Sequence, residues 1–167
     1  MKILIVGDVY SKLGRAALEE NIKKIKEEQT INFIIINGEN ISHGKGMNFN
    51  HYKWLMGLGA NVITMGNHTW NNRQIYDYID ESNNIVRPLN YKGDNVPGKG
   101  YVTINYNGLK ITVFQMIGRT FIDETNLCPF KTTEKLLAEV KSDIYICDFH
   151  GEATSEKIAY GLRVNLP

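Results

Sequence analysis

Side chains of the kind that bind metal ions follow each of four short apolar runs in the sequence. The runs are residues 3–6, 33–36, 61–65 and 143–147, and the side chains that follow them are Asp8, Glu39, Asn40, Asn67, His68, Asp148, His150 and Glu152. Carboxylate, amide and imidazole groups together suit Mn²⁺, Fe or Zn²⁺ better than Ca²⁺, which prefers oxygen ligands only. A carboxylate such as that of Glu39 can bridge two ions about 3.5–4 Å apart, which would stabilise the entering and leaving oxygens of a phosphoryl displacement. The pattern therefore predicts a catalytic metal site with hydrolytic chemistry.

Each of these side chains also has a purely structural interpretation. Asp8 could cap the next turn or helix, Asn67 could form an Asx turn, and His150 could be a structural histidine at a strand end. These interpretations need a separate local reason at every strand end, whereas one metal site accounts for all of them. We therefore prefer the metal site.

The four apolar runs also predict the scaffold. They are rich in β-branched residues and too short for isolated helices, which is typical of buried parallel strands. Apolar residues at helical spacing between them predict three helices, with faces formed by Leu18, Ile22 and Ile25, by Ile75, Tyr78 and Ile79, and by Leu136, Leu137 and Val140. This alternation indicates an α/β fold. In one open parallel sheet, the carboxyl ends of the strands would line a common crevice.

Residues 101–117 have a different pattern. Two alternating runs, 101–106 and 109–117, flank Asn107-Gly108, a pair favoured where both turn positions need a positive φ. This pattern predicts an antiparallel hairpin that opens a second sheet region. Residues 87–100 are rich in Gly and Pro and are interpreted as a loop, so that residues 1–167 form a single domain.

Charge and composition exclude several function classes. Nineteen Lys and Arg against eighteen Asp and Glu give a net charge of +1, so there is no overall field to steer the protein onto duplex nucleic acid or a membrane. The apolar runs are far shorter than the roughly 20 residues that span a bilayer. Cys128 and Cys147 form no CxxC pair, which argues against a zinc knuckle and favours a reducing cytoplasm as the location.

Motifs of several other enzyme classes are missing from the sequence. His43-Gly44-Lys45-Gly46 lacks the frame of a P-loop, and residues 7–14 do not form a GxGxxG motif. No GxSxG nucleophile elbow occurs either. His43, Lys45 and Arg119 could touch a substrate, but we interpret them as ordinary loop residues.

The sequence resembles the calcineurin-like metallophosphoesterases, and specifically the YmdB-like 2′,3′-cyclic-nucleotide phosphodiesterases. The resemblance runs from residue 1 to about residue 161, through the ordered segments GDVYSKLGR, INGENISHGKG, ITMGNHTW, RPLN, PGKG, GRTF and DFHGEATSEK. It implies a sandwich of two sheets flanked by helices in four αββα layers. It also implies two metal ions, Fe or Mn, as cofactors, and a cyclic nucleotide or an RNA-end phosphate as substrate.

The same resemblance implies individual roles. The implied metal ligands are Asp8, Glu39 and Asn40 for the first ion, with Glu39 bridging, and Asn67 and His150 for the second. His68 would be the general acid that protonates the departing ribose oxygen. Gly66 would permit the tight turn from strand to loop that aims Asn67 and His68 inward.

The sequence departs from the family pattern at two places. Ser11 stands in the loop after Asp8 where the family usually has glycine, and we expect it to stiffen that loop without touching a predicted ligand. Family members continue with a Gly-Thr-His-Thr-His type motif that supplies one further histidine to each ion, and this motif is missing here. Residues 162–167 no longer follow the family pattern, so we expect a chain truncated at its C-terminus, with weakened metal affinity and an uncovered apolar sheet face or edge.

This departure leaves two alternatives beside an active phosphodiesterase. The chain could be a catalytically inactive fragment that acts as a nucleotide-binding or oligomerising module. Alternatively, neighbouring chains of a homo-oligomer could complete the site.

Overall fold

The computed structural model describes residues 1–122 and 126–164. It divides the chain into two compact units, Met1–Ile85 and Val86–Pro167. The fold is α/β, with a parallel sheet and a mixed sheet flanked by helices. The expectations of a single domain over residues 1–167 and of a four-layer sandwich stay predictions. In the described part of the chain, no helix combines the length and apolarity that a membrane crossing needs.

The first unit alternates strands and helices. Its elements in chain order are β1 (Ile3–Val6), α1 (Ser11–Glu28), β2 (Phe33–Asn37), α2 (Phe49–Gly57), β3 (Val62–Thr64), a 3-10 helix (Arg73–Asp77) and, at the unit boundary, β4 (Ile85–Val86). β2 pairs in parallel with both β1 and β3, and all of its residues are buried, because a central strand is covered on both faces. The three strands predicted here are therefore confirmed, whereas α2 and β4 were not predicted.

The helical faces predicted in the first unit are found in part, because Ile25 of α1 is exposed. Ile22 of α1 is buried against Ile34 and Ile36 of β2. Ile75 and Ile79 are fully buried as well, but Ile75 belongs to a short 3-10 helix rather than to a full α-helix. The apolar spacing therefore identified most of the buried side chains and overestimated the length of the helix that contains Ile75.

The second unit contains the hairpin. Its elements are β5 (Tyr101–Tyr106), β6 (Leu109–Ile117), α3 (Pro129–Glu139), β7 (Ile144–His150) and α4 (Thr154–Val164). β5 and β6 pair antiparallel, and the turn between them has positive φ at Asn107 (51°) and Gly108 (85°), so the predicted hairpin is confirmed. The loop before β5 is confirmed too. Its backbone carbonyls at Pro88 and Pro97 accept hydrogen bonds from the Arg87 guanidinium over 2.7 and 3.1 Å.

β7 corrects the prediction of one open parallel sheet. The run 143–147 was expected to lie beside the first three strands, but β7 pairs in parallel with β6, in a register that sets His150 opposite Ile117. β7 also continues to His150, so Asp148 and His150 lie within the strand rather than after it. A short apolar run indicates burial but does not identify the neighbouring strand, so the sequence could not assign β7 to its sheet.

Helices α3 and α4 cover one face of the second sheet. Phe114 and Met116 of β6 pack there against Leu136 and Tyr160. The Tyr160 hydroxyl lies 2.6 Å from the Thr133 hydroxyl and 3.3 Å from the Cys147 sulfur, which completes a small polar group inside this apolar cluster. α3 includes the predicted face with Leu136, whereas α4 was not predicted.

Candidate metal centre

The loops that follow β1 and β2 bring Asp8 and Asn40 together. The strands are parallel neighbours, so both loops leave the same edge of the sheet. The backbone N–H of Val9 donates to the Asn37 carbonyl over 3.3 Å, and Asn40 Nδ2 donates to Asp8 Oδ1 over 2.7 Å. Asp8 has a φ of 47°, which is uncommon for a residue with a side chain and is found most often where function requires it. The contact leaves Asp8 Oδ2 and Asn40 Oδ1 outside this hydrogen bond.

The Glu39 carboxylate is buried directly over Gly66. Glu39 is only 4% exposed, its backbone N–H donates to Asn37 Oδ1 over 3.2 Å, and Asn37 Nδ2 lies 3.5 Å from Glu39 Oε1. A Cβ atom placed on Gly66 would collide with Oε2 and Cδ of Glu39. Gly66 does not belong to the glycines with positive φ. Gly66 begins the turn into the loop after β3, as expected, but this position needs glycine for space rather than for a positive φ.

The loop after β3 carries Asn67 and His68. Thr69 closes its first turn by donating its backbone N–H and its hydroxyl to the Gly66 carbonyl, over 3.1 and 2.5 Å. Asn67 is exposed and His68 is half-buried. Asn71 Nδ2 lies 2.7 Å from His68 Nδ1, and this contact orients the imidazole ring. The sequence reasoning missed Asn71, although its spacing of three residues from His68 is a recognisable signal for a single turn.

Ser11 also departs from its expected behaviour. Its backbone N–H donates to the carbonyl of Asn40 over 3.3 Å, so Ser11 does touch a predicted ligand. Its hydroxyl lies 2.9 Å from His43 Nδ1, which ties the start of α1 to the loop after β2. Lys45 of the same loop is exposed.

A second histidine lies behind the same loop. His51 Nδ1 is 2.7 Å from the Ser42 hydroxyl, and the cap residue Asn48 accepts the His51 backbone N–H over 2.8 Å. Burial lowers the pKa of His51 below its usual value, and the nearby charges of Arg15 and His43 lower it further. His51 is therefore biased towards its neutral form in the folded chain.

His150 and Asp148 belong to the second unit. They are two residues apart on β7 and so share one face of the strand, on which Gln115 of β6 is the register partner of Asp148. His150 Nε2 lies 3.7 Å from Glu152 Oε1. Arg119 lies in the loop after β6, where its backbone N–H donates to Glu156 Oε1 over 2.9 Å.

The oxygen donors of the first unit fit a metal cation. Within residues 1–122 and 126–164, no three His, Cys, Asp or Glu side chains lie together as a metal-binding group. Such a group does not include amide oxygens. In this unit Asn40 and Asn67 lie in loops at the same edge of the sheet as the carboxylates of Asp8 and Glu39. The Glu39 carboxylate occupies the space above Gly66 that a Cβ atom would fill, and Asp8 and Asn40 each have an oxygen outside their mutual hydrogen bond. These oxygens make the donor set suitable for a cation.

Residues 4–165 match the family described as YmdB-like protein. The chain belongs to the YmdB-like family. This membership confirms the resemblance seen in the sequence. A relative named 2′,3′-cyclic-nucleotide 2′-phosphodiesterase, from Bacillus subtilis, is 45% identical over 163 residues, which cover 96% of this chain and 61% of the relative.

Two solved structures share the fold with this YmdB-like chain. A hypothetical protein from Thermus thermophilus has a TM-score of 0.92 and 34% identity, covering 99% of this chain and 64% of its own. A novel phosphatase from Mycoplasma pneumoniae also has a TM-score of 0.92 and 34% identity, covering 98% of this chain and 59% of its own. The chain therefore spans about three-fifths of the length of the relatives it matches.

Proposed function

We propose that this chain carries the phosphodiesterase site of the YmdB-like family and opens 2′,3′-cyclic nucleotides to nucleoside 3′-monophosphates. The observation that carries this proposal is the buried Glu39 carboxylate over Gly66, at the sheet edge where Asp8 and Asn40 also meet. A surface carboxylate would not need a glycine beneath it. Family membership and the printed name of the Bacillus subtilis relative support the reaction class.

The residues of the proposed site divide by role. Those that would hold two ions of the Fe or Mn type are Asp8, Glu39, Asn40, Asn67 and His150, with Glu39 shared between the ions. When bound, such ions supply positive charge at a phosphoryl group and favour the deprotonation of water. Asn37 holds the backbone and carboxylate of Glu39 in place through the bonds described above. The assignment of His150, from the second unit, comes from the family resemblance.

His68 supplies the proton in this proposal. Water attacks phosphorus, the bond between phosphorus and the 2′ oxygen breaks, and that oxygen takes a proton from Nε2 of the His68 imidazolium. One proton of the water stays on the phosphate, and the other returns to His68. The phosphate stays on the 3′ oxygen. Asn71 positions His68 for this step, because its contact with Nδ1 orients the imidazole ring.

Hydrolysis of 2′,3′-cyclic AMP in the presence of Mn²⁺ tests the proposal. We expect adenosine 3′-monophosphate as the product, separated by chromatography, and a loss of at least about 100-fold in kcat in His68→Ala. Asn67→Ala should also lose turnover and should bind Mn²⁺ less tightly. Turnover that survives unchanged in both variants would mean that these roles are wrong.

The second candidate function is the alternative named from the sequence, an inactive nucleotide-binding or oligomerising module. Calorimetric titration with Mn²⁺ and light scattering separate the two candidates. Binding of two ions per chain with turnover supports the phosphodiesterase, whereas a folded chain that binds nucleotide, self-associates and takes up no Mn²⁺ supports the module.

A further inference from the structure

Ser11 and His43 form a hydrogen bond between two backbone positions that both disfavour a side chain. Ser11 has a φ of 56° and His43 a φ of 59°, in the left-handed region that residues other than glycine seldom adopt. Ser11 Oγ and His43 Nδ1 are 2.9 Å apart. A conformation of this kind persists only where the surrounding structure fixes it, and it occurs most often at functional sites.

The bond lies next to the contact between Asp8 and Asn40. The Asn40 carbonyl accepts the backbone N–H of Ser11 over 3.3 Å and that of Gly44 over 2.9 Å. Asn40 Nδ2 in turn donates to Asp8 Oδ1 over 2.7 Å. Ser11 and Gly44, the neighbour of His43, therefore both donate hydrogen bonds to the backbone of Asn40, and the Asn40 side chain donates to Asp8.

A helix cap does not explain the Ser11 hydroxyl. The N-cap residue of α1 is Tyr10, and it makes no side-chain cap hydrogen bond, while Ser11 is already the first helical residue. The hydroxyl instead points to a residue 32 positions away in the other loop. Glycine would adopt this φ freely, so what serine adds at position 11 is the bond between the loops.

We infer that Ser11 and His43 are a positioning pair, whose hydrogen bond fixes the Asp8 and Asn40 oxygens for a metal ion. The identity of that ion rests on the proposed function. Loss of the pair leaves both ligands in place and removes one of the hydrogen bonds that hold the two loops together. Residues that orient metal ligands in this way typically change metal affinity by about 10-fold to 100-fold when they are replaced.

Ser11→Gly separates positioning from a merely structural role. The substitution removes the hydroxyl and also relieves the strained φ, so we expect an unfolding temperature equal to or above that of the wild type. Mn²⁺ affinity, measured by calorimetric titration, should nevertheless fall by about tenfold. A structural role would instead change stability and affinity in the same direction.

Thr30→Gly is the matched control. Thr30 follows the other end of α1, has a φ of 55° and donates its backbone N–H to the Glu27 carbonyl. Replacement by glycine relieves the same kind of strain without touching either loop, so Mn²⁺ affinity should stay at the wild-type value. His43→Gly should match Ser11→Gly, and the double variant Ser11→Gly/His43→Gly should lose no more affinity than either single variant.

A readout without metal keeps this inference separate from the proposed function. The side-chain amide resonances of Asn40 report its bond to Asp8, and we expect them to shift in Ser11→Gly and to stay in place in Thr30→Gly. If the wild-type chain binds no Mn²⁺, the proposed function fails, and these resonances still decide the positioning role. Wild-type resonances and wild-type Mn²⁺ affinity in Ser11→Gly would overturn the inference.

Discussion

Gly66→Ala is the substitution that tests the geometry of the candidate centre most directly. The added methyl group would lie 2.5 Å from Oε1 of Glu39 and would collide with its Oε2 and Cδ. Non-bonded atoms of this kind rest about 3.5 Å apart, so the carboxylate must move by about 1 Å or more. Glu39 is buried and held by Asn37, so this movement strains its surroundings.

Two magnitudes follow from this displacement. Overpacking a buried position destabilises a protein by about 1–3 kcal/mol. A loss of about 2 kcal/mol in a chain of this size lowers the unfolding temperature by about 4–8 °C. Displacement of a positioned catalytic group by about 1 Å lowers turnover by about 100-fold, so hydrolysis of 2′,3′-cyclic AMP should fall by that factor.

Gly57→Ala controls for the change from glycine to alanine itself. A Cβ on Gly57, the last residue of α2, would meet nothing within 4 Å, so its unfolding temperature and turnover should stay at or above wild type. In a Glu39→Ala background the collision is gone, and Gly66→Ala should then cost almost nothing in thermal unfolding. If Gly66→Ala is equally destabilising with and without the Glu39 side chain, the explanation given for Gly66 is refuted.

Three other substitutions or treatments test separate parts of the molecule. Asn71→Leu should lower kcat for 2′,3′-cyclic AMP about fivefold at unchanged KM, because it removes a hydrogen bond worth about 1 kcal/mol that orients His68; an unchanged kcat in steady-state kinetics would rule out that role. Because the pKa of His51 is lowered in the folded chain, the unfolded chain binds a proton at His51 first as pH falls, so the free energy of unfolding decreases as pH falls through the ordinary value of 6.5. In urea unfolding between about pH 5 and 7.5, His51→Gln should therefore show a weaker dependence of this free energy on pH. A dependence equal to that of the wild type would contradict the assignment. Burial raises the pKa of the Cys147 thiol to about 12. In the folded chain, iodoacetamide at pH 8 should therefore label Cys128 but not Cys147, and in urea it should label both. Mass spectrometry of the peptides shows which thiol reacts.

Local sequence signals predicted the hairpin and the first three strands correctly. The hairpin turn requires two consecutive positive φ values, and Asn-Gly is one of the few residue pairs that adopt them readily. The turn and the ends of both strands therefore follow from the sequence. Ile22 and Leu136 were correctly placed on buried helix faces for a similar reason, because helical spacing is a property of neighbouring residues. In each case the information lies within one or two turns of chain.

Features that depend on distant parts of the chain could not be predicted in this way. The sheet to which β7 belongs depends on its pairing with β6, and the residues of an apolar run do not indicate which strand it pairs with. The space that Glu39 needs above Gly66 joins residues 27 positions apart, so the sequence showed that glycine was present but not why. The bond between Ser11 and His43 was missed for the same reason.

Six residues with side chains have a positive φ in the described chain, and one of them, Phe121, lies in the loop after β6. Some of them end a regular element, as Thr30 does after α1 and Asn107 does in the hairpin turn. Three others are Asp8 in the loop after β1, Ser11 at the first position of α1 and His43 in the loop after β2. These three do not belong to a helix C-terminus or a hairpin turn, where positive φ is usual, and glycine would remove the strain at each of them. The hydrogen bonds between the two loops hold these conformations, and the same bonds set the positions of the Asp8 and Asn40 oxygens. Strain and ligand geometry therefore have one physical cause here, which is why a stabilising change to glycine in these loops should weaken the binding of a metal ion.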